Sequence, residues 1–489
     1  MVSNDYSGGI QYALFLIYLD QTGKFNSVAS ALLYIPGSIK VLFAAVNDSM
    51  PILGYRRKPY MILGWIGNFI VCAIVVLAPF PKSRYVIENR NATNNCSYLY
   101  HSKINSPEHR GTELEYTLYS FLYLAAMLSM TTFTTITGTA MDGLMVQYAR
   151  KENESQRGKI QSFVYAMRTI GSTTNLLVTA IGFNWYVYAG PWCYGITVQT
   201  FYMINAIASI IAIPIVIFMT SEDPVKTSPK FTNIVDKIWF ALQSKAMQRI
   251  LLFSFLMNTA QSLASPADSM IMKYWAQTDN FTLNMSNVLG QILMFVGTSI
   301  FGMFLRNYNW RITIGLTQIF ITGINATVTL ITIFKVIRNQ YFYVSDSITQ
   351  QVFFGINSIC SMLIAVEMAD SQIEGIVYGV IMSFINLGNN VGAVVGILVA
   401  LPFSVSNSKR YHNDTDKDRV MIAIQEIIIY FLQIGLTFLV LPLFPTGIQT
   451  TQKLKRKLSF SRSWAIFTVI AFLVIMFSSI TYSIVAPFL

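Results

Sequence analysis

Charged residues are scarce in this chain: Asp, Glu, Lys and Arg make up 12% of its 489 residues, about half the share of a typical soluble domain. Apolar residues reach 53%, and the mean hydropathy is +0.49. The alternation over about 10 residues that marks transmembrane strands is also missing. This composition excludes an ordinary soluble domain and predicts an integral membrane protein that crosses the bilayer as helices.

Histidine is almost absent, and His101, His109 and His412 all fall in segments predicted to lie outside the membrane. The sequence therefore offers no histidine cluster within the membrane for a metal, and no nucleophile stands beside a base. A G-x-x-x-x-G-K-S/T loop for nucleotide phosphates is missing too. We predict neither an enzyme nor an ATP-driven pump, and neither a metal nor a cofactor.

Cysteine is also rare, with four residues in the chain. Cys72 and Cys360 lie in apolar runs, where a thiol fills space as a small apolar group. Cys96 and Cys193 lie in predicted external loops, and an oxidising compartment permits a disulfide there. A Cys96–Cys193 disulfide is one hypothesis, and two free thiols are the other.

Apolar runs of about 20 residues recur along the chain, and each is long enough to cross a ~30 Å hydrocarbon core as a helix. Residues 8–19 make only half a span where a first helix is expected, so that helix looks truncated, and no cationic segment of a cleavable signal peptide precedes it. Residues 464–488 are long enough for an extra C-terminal helix. Between these ends we predict eleven spans, near 28–46, 59–79, 116–145, 159–181, 198–220, 248–270, 287–305, 312–332, 348–370, 375–402 and 421–445.

The orientation follows from the cations, because cytoplasmic loops carry an excess of Lys and Arg. The loop after residue 46 and every second loop beyond it are about twice as rich in these residues as the opposite loops, so we place them inside. The net charge of +11 then reflects topology, and no nucleic-acid partner is expected. Of eight N-x-S/T sequons, Asn47 and Asn153 fall inside and Asn325 within a helix. The other five fall outside as glycosylation candidates: Asn91, Asn95, Asn280, Asn284 and Asn413.

A long polar connection divides the spans into two groups of six when the half-span is counted. Two helical halves that rock about a site near the membrane midplane are the plan of major-facilitator transporters. The basic run KLKRKLSFSR at 453–462 could contact anionic lipid headgroups, although we favour anchoring of the topology as its role. We predict an N-terminal half over 1–220, a cytoplasmic linker over 221–247, a C-terminal half over 248–445 and a basic tail with the extra helix over 446–489.

The loop NDSMPILGYRRKPY at 47–60 joins two of these helices and carries three consecutive cations. Gly54 permits a tight turn, and Pro59 suits the first turn of the following helix. The spacing Asp-x₅-Gly-x-Arg-Arg-Lys resembles the inter-helix loop of major-facilitator transporters, in which acids and cations close the inner gate by salt bridges. This resemblance implies a gating role for Asp48, Gly54, Arg56 and Arg57.

The longer string IPGSIKVLFAAVNDSMPILGYRRKPYMILGW at 35–65 resembles the signature of the folate–biopterin transporter family. Two more blocks resemble that family, AMDGLMVQYARKENESQRGKIQSFVYAMRTIG at 140–171 and EGIVYGVIMSFINLGNNVGAVVG at 374–396. The resemblance implies alternating-access uptake of a pteridine or folate-like anion across the plasma membrane, coupled to protons. Gly138 and Gln147 stand where the family pattern has acids, so the coupling ion and the substrate need not transfer intact.

Charged side chains within predicted spans are costly in a membrane, so each of them is a functional hypothesis. Lys40 lies about two helical turns before Asp48, and it could bind a carboxylate or form a structural ion pair with Asp48 or Asp142. Arg168 offers a planar fork of donors to a carboxylate or a pterin edge. Asp142 could accept from a pterin, from Arg168 or from the cationic loop. With Asn386 on the eleventh helix, we predict that Lys40, Arg168 and Asp142 bind substrate.

Two further patterns occur in the C-terminal half. Glu367, Asp370 and Glu374 cluster at an inner turn, and we expect them to be gate acids. Arg306 and Arg311 are their expected partners. Three glycines also recur every fourth residue on the eleventh helix, where small-xxx-small spacing favours close helix packing over a role in the cavity. They are Gly388, Gly392 and Gly396.

Two alternatives stay open at this point. The chain could carry another organic solute, such as S-adenosylmethionine, since relatives of the resembled family differ in their substrate. It could also be a sensor or scaffold that keeps a transporter-like shell. A sensor would bind its solute without accumulating it, so uptake separates these readings.

Overall fold

Helices form almost all of the regular structure, as expected where lipid offers no partners to backbone N–H and C=O groups. The structure is a computed structural model that describes residues 29, 32–33, 35–78, 85–88, 100–103, 113–152, 159–185, 192, 194–224, 231–305, 308–368, 374–403, 405, 408–456 and 459–485. The predicted half-span at 8–19 lies outside these residues, as do Asn91, Asn95, Cys96 and Cys193.

Five helices precede the linker: α1 Lys40–Ser49, α2 Lys58–Leu77, α3 Glu113–Lys151, α4 Lys159–Gly182 and α5 Val198–Met219. An antiparallel pair of short strands, β1 Tyr85–Glu88 and β2 Tyr100–Lys103, lies between α2 and α3. Within the predicted linker, Phe231–Gln243 forms α6.

The second half contains α7 Lys245–Gln261, α8 Pro266–Met270, α9 Asn280–Ile300, α10 Trp310–Ile333, α11 Gln340–Met368, α12 Glu374–Ala400, α13 Ser408–Asn413 and α14 Asp416–Val440. Turns of π-helix extend α8 and α9 over Ile271–Trp275 and Phe301–Leu305, and short 3-10 turns follow at Leu401–Phe403 and Leu441–Leu443. The tail forms α15 Ile448–Arg456 and α16 Arg462–Val485, and α16 packs against α12 and α6.

Eight helices of the described chain are long and apolar enough to cross a membrane, namely α2, α3, α5, α9, α10, α11, α12 and α14. Three of the eleven predicted spans are not among them. The structure describes only part of the first as helix, and α4 carries Arg168 and many hydroxyl side chains. The third, predicted as continuous over 248–270, is interrupted: α7 ends at Gln261, and α8 begins at Pro266.

The two halves meet through few helix pairs. From the first half, α1 and α3 pack against α12, and α4 packs against α9. One core cluster runs across this boundary and joins Ala44, Met145 and Tyr165 of the first half to Ile250 and Tyr378 of the second. These contacts position the side chains of the candidate site, which project from α1, α3, α4 and α12.

The glycines of α12 contact the backbone of the interrupted helix. A Cβ atom added at Gly388 would lie 2.4 Å from the carbonyl oxygen of Phe255, and one at Gly396 would lie 2.1 Å from that of Ala264. Gly392 approaches Thr259 in the same way, at 2.5 Å. The expected packing role of this stripe agrees with these contacts, because any larger side chain would push α12 away from α7.

The structure corrects the predicted positions of two sequons. We predicted Asn280 and Asn284 in an external loop, but α9 begins at Asn280 and includes both residues. Its N-cap is Asp279, whose side chain accepts from the N–H of Thr282, so the helix starts well before the predicted span at 287. Asn413 is exposed at the end of α13. Cys72 and Cys360 are free and fully buried, as expected of apolar filling.

Candidate functional site

One buried carboxylate sits between two cations at the centre of the molecule. Lys40 on α1 and Arg168 on α4 both form ion pairs with Asp142 on α3, and the two cations contact different carboxylate oxygens. The side chain of Asp142 is 2% exposed, whereas those of Lys40 and Arg168 are 16% and 12% exposed. Asp142 is therefore neutralised within the protein, while both cations keep a face toward open space.

That open space is a cavity of about 600 Å³ between the two halves, a size typical of small-molecule sites. Lys40, Asp142 and Arg168 line it, and so does Asn386, whose side-chain N–H group donates to the carbonyl of Gly37 at 3.0 Å. The structure thus brings together all four residues that the sequence suggested for substrate binding. The sequence left open whether Asp142 pairs with Arg168 or with Arg56 and Arg57. In the structure it pairs with Arg168.

Two tyrosines connect the halves at the wall of this cavity. The hydroxyl groups of Tyr165 on α4 and Tyr378 on α12 are hydrogen-bonded to each other. The Nζ atom of Lys40 lies 5.7 Å from the centroid of the Tyr378 ring, and the guanidinium of Arg168 lies 5.3 Å from that of Tyr165. Cation–π contacts of this kind help to hold both cations in place.

A second ionic cluster lies at the end of the bundle that is predicted to face the cytoplasm. The Nη2 atom of Arg57, a residue only 2% exposed, lies 3.2 Å from Oδ1 of Asp48 and 3.2 Å from Oε2 of Glu374. Asp48 Oδ2 accepts from the N–H of Ile376 at 3.0 Å, and Arg57 also donates to Gln147. Since Glu374 and Ile376 belong to α12, the cluster joins the two halves.

Glycines make room for this cluster. A Cβ atom at Gly143 would lie 2.7 Å from Nε of Arg57, and one at Gly375 would lie 2.9 Å from Oδ2 of Asp48. The loop that carries Arg57 turns at Gly54, whose φ of +78° is readily adopted by glycine. The tight turn predicted at Gly54 is confirmed, and the gating roles of Asp48, Gly54, Arg56 and Arg57 stay predictions.

A model of the BT1 family matches residues 11–93 and 114–457. The chain belongs to the BT1 family.

A curated relative of this BT1 family chain is the folate-biopterin transporter of Synechocystis sp. (strain ATCC 27184 / PCC 6803 / Kazusa). The two are 20% identical over 395 residues, which cover 78% of this chain and 69% of the relative. The family predicted from the sequence is therefore confirmed.

Two solved structures of major facilitator superfamily proteins share the fold. The proton:xylose symporter XylE, bound to 6-bromo-6-deoxy-D-glucose, aligns with a TM-score of 0.56 at 10% identity, over 93% of this chain and 96% of its own. FucP in the outward conformation aligns with a TM-score of 0.50 at 11% identity, over 88% and 96%. The BT1 chain is thus a multi-pass membrane protein of a transporter family with the predicted major-facilitator fold.

The expectation for the acids of the second half is wrong in its partners. Glu374 faces Arg57 and Arg150 of the first half, the latter at 3.4 Å, and not Arg311. Arg311 instead donates to the carbonyl groups of Phe444 and Pro442. Of the other expected members, Glu367 receives a hydrogen bond from Gln452 of α15 at 3.3 Å. Asp370 and Arg306 lie outside the described residues.

The adjacent cations of the loop also differ more than the sequence suggested. The side chain of Arg57 pairs with Asp48 and Glu374, whereas Arg56 contributes its backbone N–H, which donates to Glu222 at 3.1 Å. The N–H groups of Arg57 and Lys58 bond to the same carboxylate. Glu222 therefore lies at the amino end of α2, where a negative charge is favourable. The sequence analysis missed it because it follows α5 in a polar stretch that predicts only a linker.

Asn357 is the second residue that the sequence did not single out. It projects from α11 into the cavity, is 1% exposed, and neither its amide nitrogen nor its amide oxygen has a hydrogen-bond partner among the described residues. A buried amide without partners is costly unless another group completes it. Asparagines recur around this cavity, but one such residue within an apolar helix gives no sequence signal.

Proposed function

We propose that this BT1 family chain moves folate- or biopterin-type pteridines across the plasma membrane by alternating access, with protons as the coupling ion. The observation that carries the proposal is the Lys40–Asp142–Arg168 group, which faces a central cavity whose inner end is closed by Arg57. Binding between two halves that meet at a breakable ionic gate is what alternating access requires. The curated relative named as a folate-biopterin transporter supports the same substrate class.

Lys40 and Arg168 can bind the carboxylate of such a solute. Arg168 presents a fork of donors that suits a carboxylate in a bidentate geometry, and Lys40 adds a compact charge beside it. Asp142 forms ion pairs with both cations, so their orientation is set before any solute binds. A preorganised site loses less free energy on binding than a flexible one.

The unpaired amide of Asn357 can form hydrogen bonds with the flat ring of a pteridine. A pterin edge presents N–H donors next to a carbonyl or ring-nitrogen acceptor, and the Asn357 amide offers one acceptor and two donors. Trp65 also lines the cavity and supplies an aromatic surface on which a heterocycle can stack. A site that leaves polar groups unpaired discriminates strongly against ligands that cannot complete them.

The test is uptake of labelled folate and labelled biopterin into cells that express the chain, at mildly acidic and at neutral external pH. We expect saturable uptake that rises on acidification. Asn357→Ala should weaken uptake of both solutes, and Ser358→Ala is a matched control, because the Ser358 hydroxyl is already bonded to the carbonyl of Gly355 at 3.0 Å.

Competition and binding separate the alternatives. Saturable uptake of S-adenosylmethionine without uptake of either pteridine would move the substrate to another solute class. Binding of a pteridine to the purified protein without accumulation in cells would indicate a sensor. Neither uptake nor binding of a pteridine at any pH would contradict the proposal.

Localisation and glycosylation are parts of the same proposal. Exposed Asn413 stands in an N-x-S/T sequon at the end predicted to face outside. Surface biotinylation should recover the chain, and enzymatic removal of N-glycans should lower its apparent mass. An Asn413→Gln variant tests this site separately from the sequons of the β1–β2 segment.

A further inference from the structure

A second group of acids lies in the C-terminal half, apart from the central cavity. Glu426 on α14 is 1% exposed, and Asp268 on α8 and Asp346 on α11 are partly buried. Asp268 interacts electrostatically with both other carboxyl groups. None of the three is among the described residues that line the cavity, so the substrate site does not explain them.

Two hydroxyl groups lie beside the buried carboxyl group of Glu426, and each directs its proton at an amide oxygen. The hydroxyl groups of Ser265 and Tyr430 lie within hydrogen-bonding reach of its carboxyl group. Each hydroxyl has one proton, and each gives it elsewhere: Ser265 donates to Gln425 Oε1 at 2.7 Å, and Tyr430 donates to Asn325 Oδ1 at 2.9 Å. With both protons directed at amide oxygens, the burial of the Glu426 carboxyl group and the neighbouring Asp268 are what favour its protonated form.

The second carboxyl oxygen of Glu426 supports the same conclusion. Its Oε1 atom is buried and has no hydrogen-bond partner among the described residues. An ionised carboxylate without donors, placed near a second acid, would pay the full cost of burying a charge. A neutral carboxyl group avoids that cost, and it can release the proton when water reaches it.

Cations on the neighbouring elements are committed to other groups. Arg338 pairs with Asp414 at 2.7 Å, and Arg410 lies 3.8 Å from Asp418. The Nζ atom of Lys273 lies 5.4 Å from the centroid of the Tyr274 ring. The remaining charged groups of α7, α10, α11 and α12 lie toward the opposite ends of those helices: Lys245, Arg249, Arg311, Glu367 and Glu374.

The other titratable groups that face the acids are tyrosines. Tyr343 on α11 donates to the backbone carbonyl of Asp268 at 3.2 Å and interacts with all three acids. Tyr411 on α13 and Tyr430 on α14 also interact with Asp268 and Glu426. Among the described residues no cation forms an ion pair with any of the three acids, so a proton or a cation is the ligand that their charge favours.

The acids lie next to the interruption between α7 and α8. Asp268 follows the break by one turn, and Ser265, which contacts Glu426, is the N-cap of α8. The carbonyl group of Leu263 within the break accepts from Gln433 of α14 at 2.7 Å. Interrupted helices recur at the coupling-ion sites of secondary transporters, because a break can change shape when an ion binds or leaves.

We infer that Glu426, with Asp268 facing it, holds the exchangeable proton that couples this carrier to the proton gradient. The assignment rests on the proposed transport function. It places the proton in the C-terminal half, whereas the Lys40–Asp142–Arg168 group, whose one carboxylate is already paired with two cations, serves the solute. Glu426 gives its proton to water when the break between α7 and α8 opens, and it takes one up again from the acidic side.

Transport tests the coupling. Glu426→Gln keeps the size and polarity of the protonated acid but cannot release a proton. We expect this variant to exchange internal for external pteridine as the unchanged chain does, while net uptake loses its rise on acidification. Asp236→Asn, at an exposed position on α6, removes a carboxylate far from the site and should leave the acid stimulation unchanged. Full acid stimulation in Glu426→Gln would overturn the inference.

Infrared difference spectroscopy of the purified chain tests the proton without transport. Acidification should produce the C=O band of a protonated carboxyl group, shifted in D₂O, and this band should disappear in Glu426→Gln and persist in Asp236→Asn. An unchanged band in Glu426→Gln would overturn the assignment of the proton, whatever uptake shows. The band together with no pteridine uptake by the unchanged chain would instead place the failure in the proposed function.

Discussion

At the scale of single residues, Asp142 divides its charge between two cations, and the consequences of removing them differ. Without Lys40, Asp142 is still neutralised by Arg168. Without Asp142, two buried cations are left uncompensated, a change that costs about 3–5 kcal/mol for a buried pair. Lys40 is therefore the residue that can be removed to test the site with the least damage to the fold.

We predict that Lys40→Ala reduces pteridine affinity by about 10- to 100-fold, the value of one charge-assisted hydrogen bond. Surface expression should stay unchanged. Uptake kinetics with surface biotinylation measure both quantities, and Lys417→Ala, which removes an exposed cation at the outer end of α14, is the control. Unaltered uptake in Lys40→Ala would remove this residue from the site.

Arg57 and Arg56 are adjacent and make a second residue-scale contrast. Arg57→Ala leaves Asp48 without a cation and Glu374 with only the more distant Arg150, so the proposed closed gate should lose about 3–5 kcal/mol. A cysteine placed at Ala149, which is fully buried on α3 in the closed-gate conformation, should then be labelled from the cytoplasmic side much faster. Arg56→Ala should change this labelling far less, and equal labelling in both variants would contradict the assignment of the gate to Arg57.

At the scale of elements, the contact between α12 and the interrupted helix depends on the absence of side chains. Gly392→Ala should lower stability by about 1–3 kcal/mol, the usual cost of overpacking, because the new Cβ atom meets backbone that cannot rotate away. Gly435→Ala on α14 is the matched control, since no atom lies within 4 Å of its Cβ position. Thermal unfolding in detergent compares the two, and equal melting temperatures would contradict the packing role.

The outer connections of the second half are held by Asp414, which bonds to Arg338 at 2.7 Å and to Arg419 at 2.8 Å. Hydrogen bonds from Arg338 and Arg419 lower the pKa of Asp414 below its usual range. Its unfolded pKa is about 3.9, so the stabilisation is complete above that value and is lost as the pH falls below it.

Asp414→Asn should therefore lower the melting temperature equally at neutral and at mildly acidic pH. The difference from the unchanged chain should shrink only below about pH 4. Melting curves across this range provide the measurement. A difference that already changes between neutral and mildly acidic pH would mean that this loop contributes to the pH response, which we assign to Glu426.

At the scale of the whole molecule, the proposed alternating access requires the two halves to separate near Asp48, Arg57 and Glu374 before the cavity can open inward. The Cβ position of Gly379 on α12 lies 2.9 Å from the Cβ atom of Ala44 on α1, close enough for a disulfide after a small shift. The Ala44→Cys, Gly379→Cys pair should cross-link on oxidation and stop uptake, and a reductant should restore it. Each single cysteine is the control, and uptake that persists in the cross-linked protein would contradict alternating access.

Much of this architecture could be predicted from the sequence because length and hydropathy alone specify membrane helices. The turn at Gly54 followed from the loop spacing, whereas Lys40, Asp142 and Arg168 stood out as charged residues within predicted spans. The pairing of Glu374 with Arg57 could not be predicted, because it depends on how the halves meet and not on sequence distance. Arg311 lies closer in sequence, but its donors complete the carbonyl groups at the end of α14.

The interruption between α7 and α8 was missed for a related reason. The segment SLAS at 262–265 is apolar enough to continue a span, and its break is stabilised by groups distant in sequence, such as Gln433 on α14. The buried amide of Asn357 likewise has no local signature. Features that depend on contacts between helices appear only when the bundle is assembled.

Charge counting at the central site has a consequence for which solutes fit. With Lys40, Arg168 and Asp142 ionised, the site carries one surplus positive charge, which balances a single carboxylate. Folate has two carboxylates at one end of an elongated molecule, whereas biopterin has none. A folate bound here would satisfy one carboxylate between the cations and keep the other hydrated, so the valence of the anion, as much as its ring, would set which pteridine this carrier prefers.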